Sequence, residues 1–326
     1  MNEMLGLVIE EELRTGKKSP FWDITLRTLE GKMHARFWDV TNPDEDGVPR
    51  RGDFIRFDLD HKDVRDQREE KWGNVILKTH CVQKVAKEDI DQDVISELLA
   101  APKAPTEKVE HYLRIMNDEQ KVFYQNDKIR LFVRACLGQI PDTILASCPA
   151  AQQVHHAYQG GLVVHTGEVI LLCRGVLSSF PWPKLVNEDL VYAGATLHDL
   201  GKTLTYHTNE LGQPASKVEE YLFGHTYRSM TAVERIASKH DLEWSFTREL
   251  LHIIASHHSK PDWGAAAKPS TIESLIVAQA DYLGSRIGII ESKMQFIKGG
   301  NGLLEEHWQD HEDRYIASAA MKKALE

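Results

Sequence analysis

The chain has little cysteine, and what it has is dispersed. Cys81, Cys136, Cys148 and Cys173 form no C-x-x-C pair within 326 residues. That spacing argues against a disulfide frame and against a cysteine-based zinc site, so reduced thiols in a cytoplasmic protein are expected. Long apolar runs are also missing. No uninterrupted run approaches the roughly 18 residues of a membrane span, and no membrane partner is expected. The first residues, MNEMLGLVIEEEL, turn acidic after a short apolar stretch, which is not the shape of a secretory signal. Basic charge is short as well: the formal net charge is −10. This weighs against a protein that coats DNA regardless of sequence. It leaves room for an enzyme with a local basic groove.

Histidine, by contrast, is plentiful, with sixteen in the chain. Their setting follows a change of character along the sequence. Residues 1–85 read as short strands. FWDITLRTLEG alternates, with Trp22, Ile24 and Leu26 on one face and Phe21, Asp23, Thr25 and Arg27 on the other. KMHARFWDV alternates again, setting Met33, Ala35 and Phe37 against His34, Arg36 and Trp38. Turn residues between the strands predict a small antiparallel barrel or sandwich. Residues 86–148 read as a helical linker with a Pro/Ala stretch, 149–293 as an all-α domain, and 294–326 as a helical tail. The expected fold class is thus α+β multidomain, a small β-barrel followed by an all-α domain.

Ionisable residues interrupt the apolar helices of that second region. His165 follows GGLVV, His198 and Asp199 follow AGATL, and His225 follows LFG. His257 and His258 follow LLHIIAS, and Asp281 follows LIVAQA. Burying such groups without partners is costly, so each must be paired, metal-bound or open to a cleft. Each is expected at or near a helix end. A lone histidine in such a place is ordinarily a hydrogen-bonded core residue. The ordered set H…HD…H…HH…D is what points to metal. Nitrogen and oxygen donors without thiolate suit a pair of divalent cations such as Mn²⁺, Mg²⁺ or Fe²⁺, held between inward-facing helices. Asp199 is the natural bridge, since a carboxylate has two oxygens.

This order resembles the HD superfamily of metal-dependent phosphohydrolases. A closer match lies in PAAQQVHHAYQGGLVVHT, YAGATLHDLGK, LFGH, ASHHSKPDWGAAAKPSTIESLIVAQAD and the strand-rich TLEGKMHARFWDV. Together they resemble the YhaM-type 3′–5′ exoribonucleases, which join an OB-fold to an HD domain. The resemblance implies that His165, His198, Asp199 and Asp281 hold one metal, and Asp199, His225, His257 and His258 the other. It implies that Asp199 and Lys202 are catalytic, with Lys202 of the HDxGK pattern on the phosphate or leaving oxygen. It also places His155 and His156 on the substrate, with His156 at phosphate or sugar. Trp263 and Gly264 either shape the mouth of the site or form a surface turn.

The expected partner is single-stranded RNA or DNA. An OB-fold grips a strand across one face, where aromatics stack bases and basic residues track phosphates. Alternation alone leaves the binding face open. Arg27 and Arg36 favour their own face as the outer one, which nominates Phe21, Arg27, Arg36 and Trp38. Residues 1–85 carry 15 of the 39 basic and 17 of the 49 acidic residues, so the barrel is the less acidic part. The leading expectation is a 3′–5′ exoribonuclease releasing nucleoside monophosphates. A phosphohydrolase of small nucleotides is the alternative, although HHSKPDWG lacks the GYP element of the cyclic di-GMP branch. A non-catalytic nucleic-acid-binding module is the third reading. Composition permits a homo-oligomer and sets no subunit number.

Overall fold

The computed structural model describes residues 2–16, 19–38, 40, 46–67, 74–152, 155–179, 185–294, 303–308 and 311–316. The chain divides into two compact units. The first comprises Met1–Ala100 with Glu210–Gly212. Its strands are β1 (Glu3–Thr15), β2 (Pro20–Thr28), β3 (Gly31–Trp38), β4 (Phe54–Asp58), β5 (Arg65–Asp66), β6 (Asn74–Leu77) and β7 (Gln83–Val85). They form one sheet in the order β5-β6-β3-β2-β1-β4-β7. β1 pairs with both β2 and β4, and its register shifts between Val8 and Glu10. Such a bulge increases local twist and helps a sheet to curl.

The curl closes a core of Ile24, Leu26, Met33, Ala35 and Phe37 against Val8, Ile55, Val75 and Leu77. The alternation that leaves Phe21, Arg36 and Trp38 on the opposite face is therefore real. The architecture is OB-like but not wholly antiparallel, because β3 and β6 run parallel. Among the described residues the sheet stays open, with β5 and β7 as its edges.

The helix α1 (Gln92–Leu99) follows the last strand and starts at Asp91, whose side chain accepts the Asp93 N–H. Its Ile95 and Leu98 bury against Leu7, Ile9, Phe54 and Ile90. An amphipathic helix must bury its stripe somewhere, and this one does so on the sheet. Residues 86–100 are therefore part of the first unit, not of a linker.

The second unit comprises Ala101–Asn209 and Gln213–Glu326. Helices α2 (Thr106–Met116), α3 (Asp127–Leu137) and α4 (Asp142–Ser147) lead into α5 (Gly161–Ser179) and α6 (Glu188–Leu197). Val109, Met116, Phe132, Val133 and Leu145 of the first three share one core with Leu162, Val163, Val164 and Val169 of α5. The expected helical linker is thus built into this core by its apolar stripes. α5 is long and apolar enough to cross a bilayer by length and composition. Its burial in the core accounts for that composition.

After α6 come α7 (Lys202–Thr205), β8 (Tyr206–Thr208), β9 (Pro214–Ser216), α8 (Val218–Ala237), α9 (Trp244–Ser256) and α10 (Ile272–Met294). A short β8–β9 hairpin interrupts this otherwise helical region: Gly212, at a φ of +66°, supplies a left-handed turn that a helix could not hold. The tail expected to be helical carries β10 (Leu303–Trp308) paired with β11 (His311–Ile316). KGGNG, directly upstream, is rich in the residues that end helices.

Candidate metal centre

Five helices of the second unit supply the centre. α5 presents His165, its fifth residue. α6 ends at His198, its C-cap, and Asp199 follows. α9 ends at His257 in the same way, with His258 next. His225 needs a break in α8. Gly224 stands at φ +71° and ψ 153°, so the helix stops there and restarts at the histidine. Asp281 departs from the expected helix end, because α10 continues past it through the buried Ser285, Arg286 and Ile289.

The two oxygens of Asp199 face different histidines. Oδ2 lies 3.3 Å from His198 Nε2 and 3.5 Å from His165 Nε2. Oδ1 lies 3.5 Å from His225 Nε2 and 3.6 Å from His257 Nε2. Asp281 Oδ1 is 3.0 Å from His165 Nε2, and its Oδ2 is 3.8 Å from His258 Nδ1. The Nε2 atoms of His225 and His258 approach to 3.0 Å, and those of His165 and His198 to 3.4 Å.

Acceptors on the outer side set the tautomers. Ala195 O lies 2.9 Å from His198 Nδ1, Ile254 O 2.7 Å from His257 Nδ1, and Glu220 Oε1 2.9 Å from His225 Nδ1. A carbonyl can only accept, so in His198 and His257 the proton sits on Nδ1. A carboxylate does the same for His225. The Nε2 lone pairs of all three then point inward, as metal ligands require. His257 Nε2 and Asp199 Oδ1 are buried with no hydrogen-bond partner among the described residues. Converging lone pairs and an orphaned carboxylate oxygen fit divalent cations and fit little else.

Electrostatics favour neutral His165, His225 and His258 around ionised acids, with His198 the exception. Burial, reinforced by His257 and His225, holds His258 well below the ordinary histidine range. Burial also lowers His165 and His225, against the pull of Asp281 and Glu220. Burial alone would lower His198, but Asp199 and Asp281 together raise it. Burial would raise both acids, yet Lys202 and His198 bring Asp199 well below the usual carboxylate range, and His165 leads the groups that lower Asp281. Lys202 Nζ donates to Asp199 Oδ2 at 2.7 Å. Its pKa is raised, since Asp199 more than offsets burial.

The remaining sequence candidates fall into place unevenly. His155 and His156 are buried beside His165, with ring centroids 5.3 and 5.6 Å from it. His155 Nε2 meets Ser285 Oγ at 3.1 Å, and His156 Nε2 meets Glu168 at 3.0 Å. Trp263 stacks on Tyr282, the neighbour of Asp281, with ring planes 2° apart, and Lys260 Nζ lies 4.2 Å from the Trp263 ring centroid.

On the sheet of the first unit, Trp38 is exposed and its ring lies 4.5 Å from that of Phe21, which Arg36 covers. Arg27 does not join them. It is buried, and its Nη1 donates to the carbonyls of Leu98, Ala100 and Leu211, leaving it a structural role in place of the expected phosphate contact. Sequence reasoning missed Glu220 and Tyr282. Glu220 sits in an acidic run that reads as solvated surface, and Tyr282 stands one residue past Asp281, where helical spacing alone gives it no partner.

Comparison with known proteins agrees with this geometry. Residues 162–285 match the HD domain family. The 3′–5′ exoribonuclease YhaM of Listeria welshimeri is 30% identical over 306 residues, covering 91% of this chain and 89% of the relative. The YhaM exoribonuclease of Oceanobacillus iheyensis is 26% identical over 90% of this chain and 87% of its own length. That of Bacillus licheniformis is 27% identical over 86% and 83%. No solved structure matches. An HD-type centre within a chain that aligns to these relatives along nine-tenths of its length makes this protein a hydrolase belonging to the YhaM exoribonuclease family.

Proposed function

We propose that this chain is a divalent-metal-dependent 3′–5′ exoribonuclease that shortens single-stranded RNA to nucleoside monophosphates. The observation that carries the reading is the division of Asp199, one oxygen toward His165 and His198 and the other toward His225 and His257. His165, His198, Asp199 and Asp281 would hold one cation, and Asp199, His225, His257 and His258 a second. Mn²⁺ suits such a nitrogen-rich, thiolate-free set. When bound, a cation pair supplies an activated water and stabilises charge developing on phosphoryl oxygens. The names of the relatives supply RNA as substrate and the 3′–5′ direction.

The chain's own residues do the rest. Burial keeps His165 and His225 neutral, so their nitrogens remain available as ligands. Lys202 holds Asp199 ionised and can turn a further N–H toward a phosphate oxygen. Trp263 and Tyr282 give a flat aromatic wall beside Asp281 suited to the terminal base. In the first unit, Phe21, Trp38 and Arg36 form a stacking face of the kind that grips a single strand.

The direct test is incubation of the metal-stripped, Mn²⁺-restored protein with 5′-labelled single-stranded RNA. A ladder shortening from the 3′ end is expected. Intact RNA, with phosphate release from a nucleotide panel, would transfer the reading to small nucleotides. Asp199→Ala should abolish hydrolysis and lower metal content at unchanged helicity. Turnover near that of the wild type would sink the dimetal reading. Trp38→Ala should weaken binding of long strands about 5–150-fold, the range expected for one lost base stack of about 1–3 kcal/mol. Its dinucleotide hydrolysis should be unchanged, and equal affinity for long strands would remove the sheet from substrate binding.

A further inference from the structure

A second cluster of metal-ligating side chains lies in the first unit, and the centre described above makes no use of it. The turn after β4 carries His61 and Asp63, and the 3₁₀ turn Thr79–Cys81 between β6 and β7 carries His80 and Cys81. Ligand atoms of His61, Asp63 and Cys81 all lie within 4.8 Å of one another. Cys81 Sγ is 3.4 Å from His61 Nδ1, and His80 Nε2 is 3.0 Å from Asp63 Oδ2. Atoms on a tetrahedron around zinc stand about 3.3–3.8 Å apart, given bond lengths of about 2.0–2.3 Å. The 3.4 Å between Cys81 and His61 falls in that range, and the pairs with Asp63 lie within 4.8 Å.

We infer that His61, Asp63 and Cys81 form a site for a borderline divalent cation, zinc above all, with His80 holding Asp63 from its outer side. One thiolate, one imidazole and one carboxylate make a three-donor set that leaves a fourth position to water, softer than the oxygen- and nitrogen-only centre of the second unit. Both turns are held by their own backbone. His61 N–H donates to Asp58 O, Val64 N–H to His61 O, and Cys81 N–H to Lys78 O. His61 Nδ1 also accepts the Asp63 N–H at 3.2 Å, a bond that a cation bound at this nitrogen would replace. Cys81 also packs against the sheet core, which fixes its sulfur.

Burial and the Asp63 charge push the Cys81 thiol up, while Lys78 and Lys62 favour the thiolate. Binding forms the metal–sulfur bond and releases the thiol proton to solvent. The site would pin the β4–β5 turn to the β6–β7 turn beside β5, a two-residue strand at the open edge of the sheet. A small open sheet gains most from such a staple. The spacing of the cysteines conceals this site, because it takes only one of them.

Sulfur separates this site from the catalytic one experimentally. The full chain loaded with Co²⁺ should show a sulfur-to-cobalt charge-transfer band in the near ultraviolet. Cys81→Ser should lose the band and bind one zinc equivalent fewer, with RNA hydrolysis in Mn²⁺ unchanged. His80→Ala, an exposed position, should keep its fold and bind zinc at least about tenfold more weakly. A wild-type protein without the band would overturn the inference. So would a band that survives in Cys81→Ser, or zinc binding in His80→Ala equal to that of the wild type.

Discussion

The chemistry of a single histidine here depends on what its second nitrogen touches. His198 and His257 use backbone carbonyls of their own helices, which any helix end provides. His225 uses Glu220, five residues upstream, and only the break at Gly224 lets the two meet. Removing that acceptor frees the ring to flip or change tautomer. Glu220→Ala should therefore weaken metal binding about 10–100-fold, as loss of such outer partners does elsewhere. Activity titrated with Mn²⁺ would show a higher half-saturation point and near-normal turnover at excess metal. An unchanged half-saturation point would mean that His225 is oriented without Glu220. The ligands themselves were legible in the sequence because ionisable groups inside apolar helices need a reason. Glu220 was not, because a glutamate in an acidic run has the bland reading of a solvated side chain. Arg27 misled for a related reason: alternation assigns a residue to a face but does not say that the end of α1 covers part of it.

At the scale of elements, the centre depends on how closely the turn after α6 approaches α8. Gly201 sits at that contact. A Cβ there would lie 2.1 Å from the His225 carbonyl oxygen and 2.6 Å from Ser229 N, both backbone atoms that no rotamer change can move. Its N–H also donates to Ser229 Oγ at 2.7 Å. Gly201→Ala should push α8 away and cost about 1–3 kcal/mol of stability, the usual penalty of overpacking. Because α8 carries His225 and Asp199 stands two residues before Gly201, metal content should fall with stability. Denaturant midpoints and metal analysis of the purified variant would check both, and wild-type values for both would refute the close-contact account. Helical patterning placed α5, α9 and α10 well, since each is a long and largely apolar stretch. It could not place the β8–β9 hairpin, whose strands of three residues each are too short to show a period. Nor could it show that α1 belongs with the sheet, because an amphipathic stripe does not name its partner.

At the scale of the whole molecule, the change of hydrophobic period from two to three or four separates a sheet from a helical body, and both are present. What the period cannot report is the electrostatic cost of holding many histidines neutral. His155 and His258 lie well below the ordinary histidine range, and His165 and His225 lie below it, burial being the largest cause in each. The unfolded chain takes up these protons from about pH 6.5 downward, while the fold resists them. Each such group therefore costs stability as pH falls, at up to about 1.4 kcal/mol per pH unit. His198 acts oppositely: its raised pKa adds stability below about pH 6.5 that is lost as pH rises through the folded value. Four groups outweigh one, so the metal-stripped protein should lose melting temperature between about pH 6.5 and 5. Asp199 and Asp281, both lowered, add stability above about pH 4 that is lost as pH falls below it, a further loss beneath that window. Mn²⁺ competes with protons for the same nitrogens, so the rise in melting temperature that it confers should be large at about pH 7.5 and shrink toward pH 5. Melting curves of stripped and loaded protein across that range test both slopes. A stripped protein equally stable at both ends would show that the buried histidines are not held neutral by the fold.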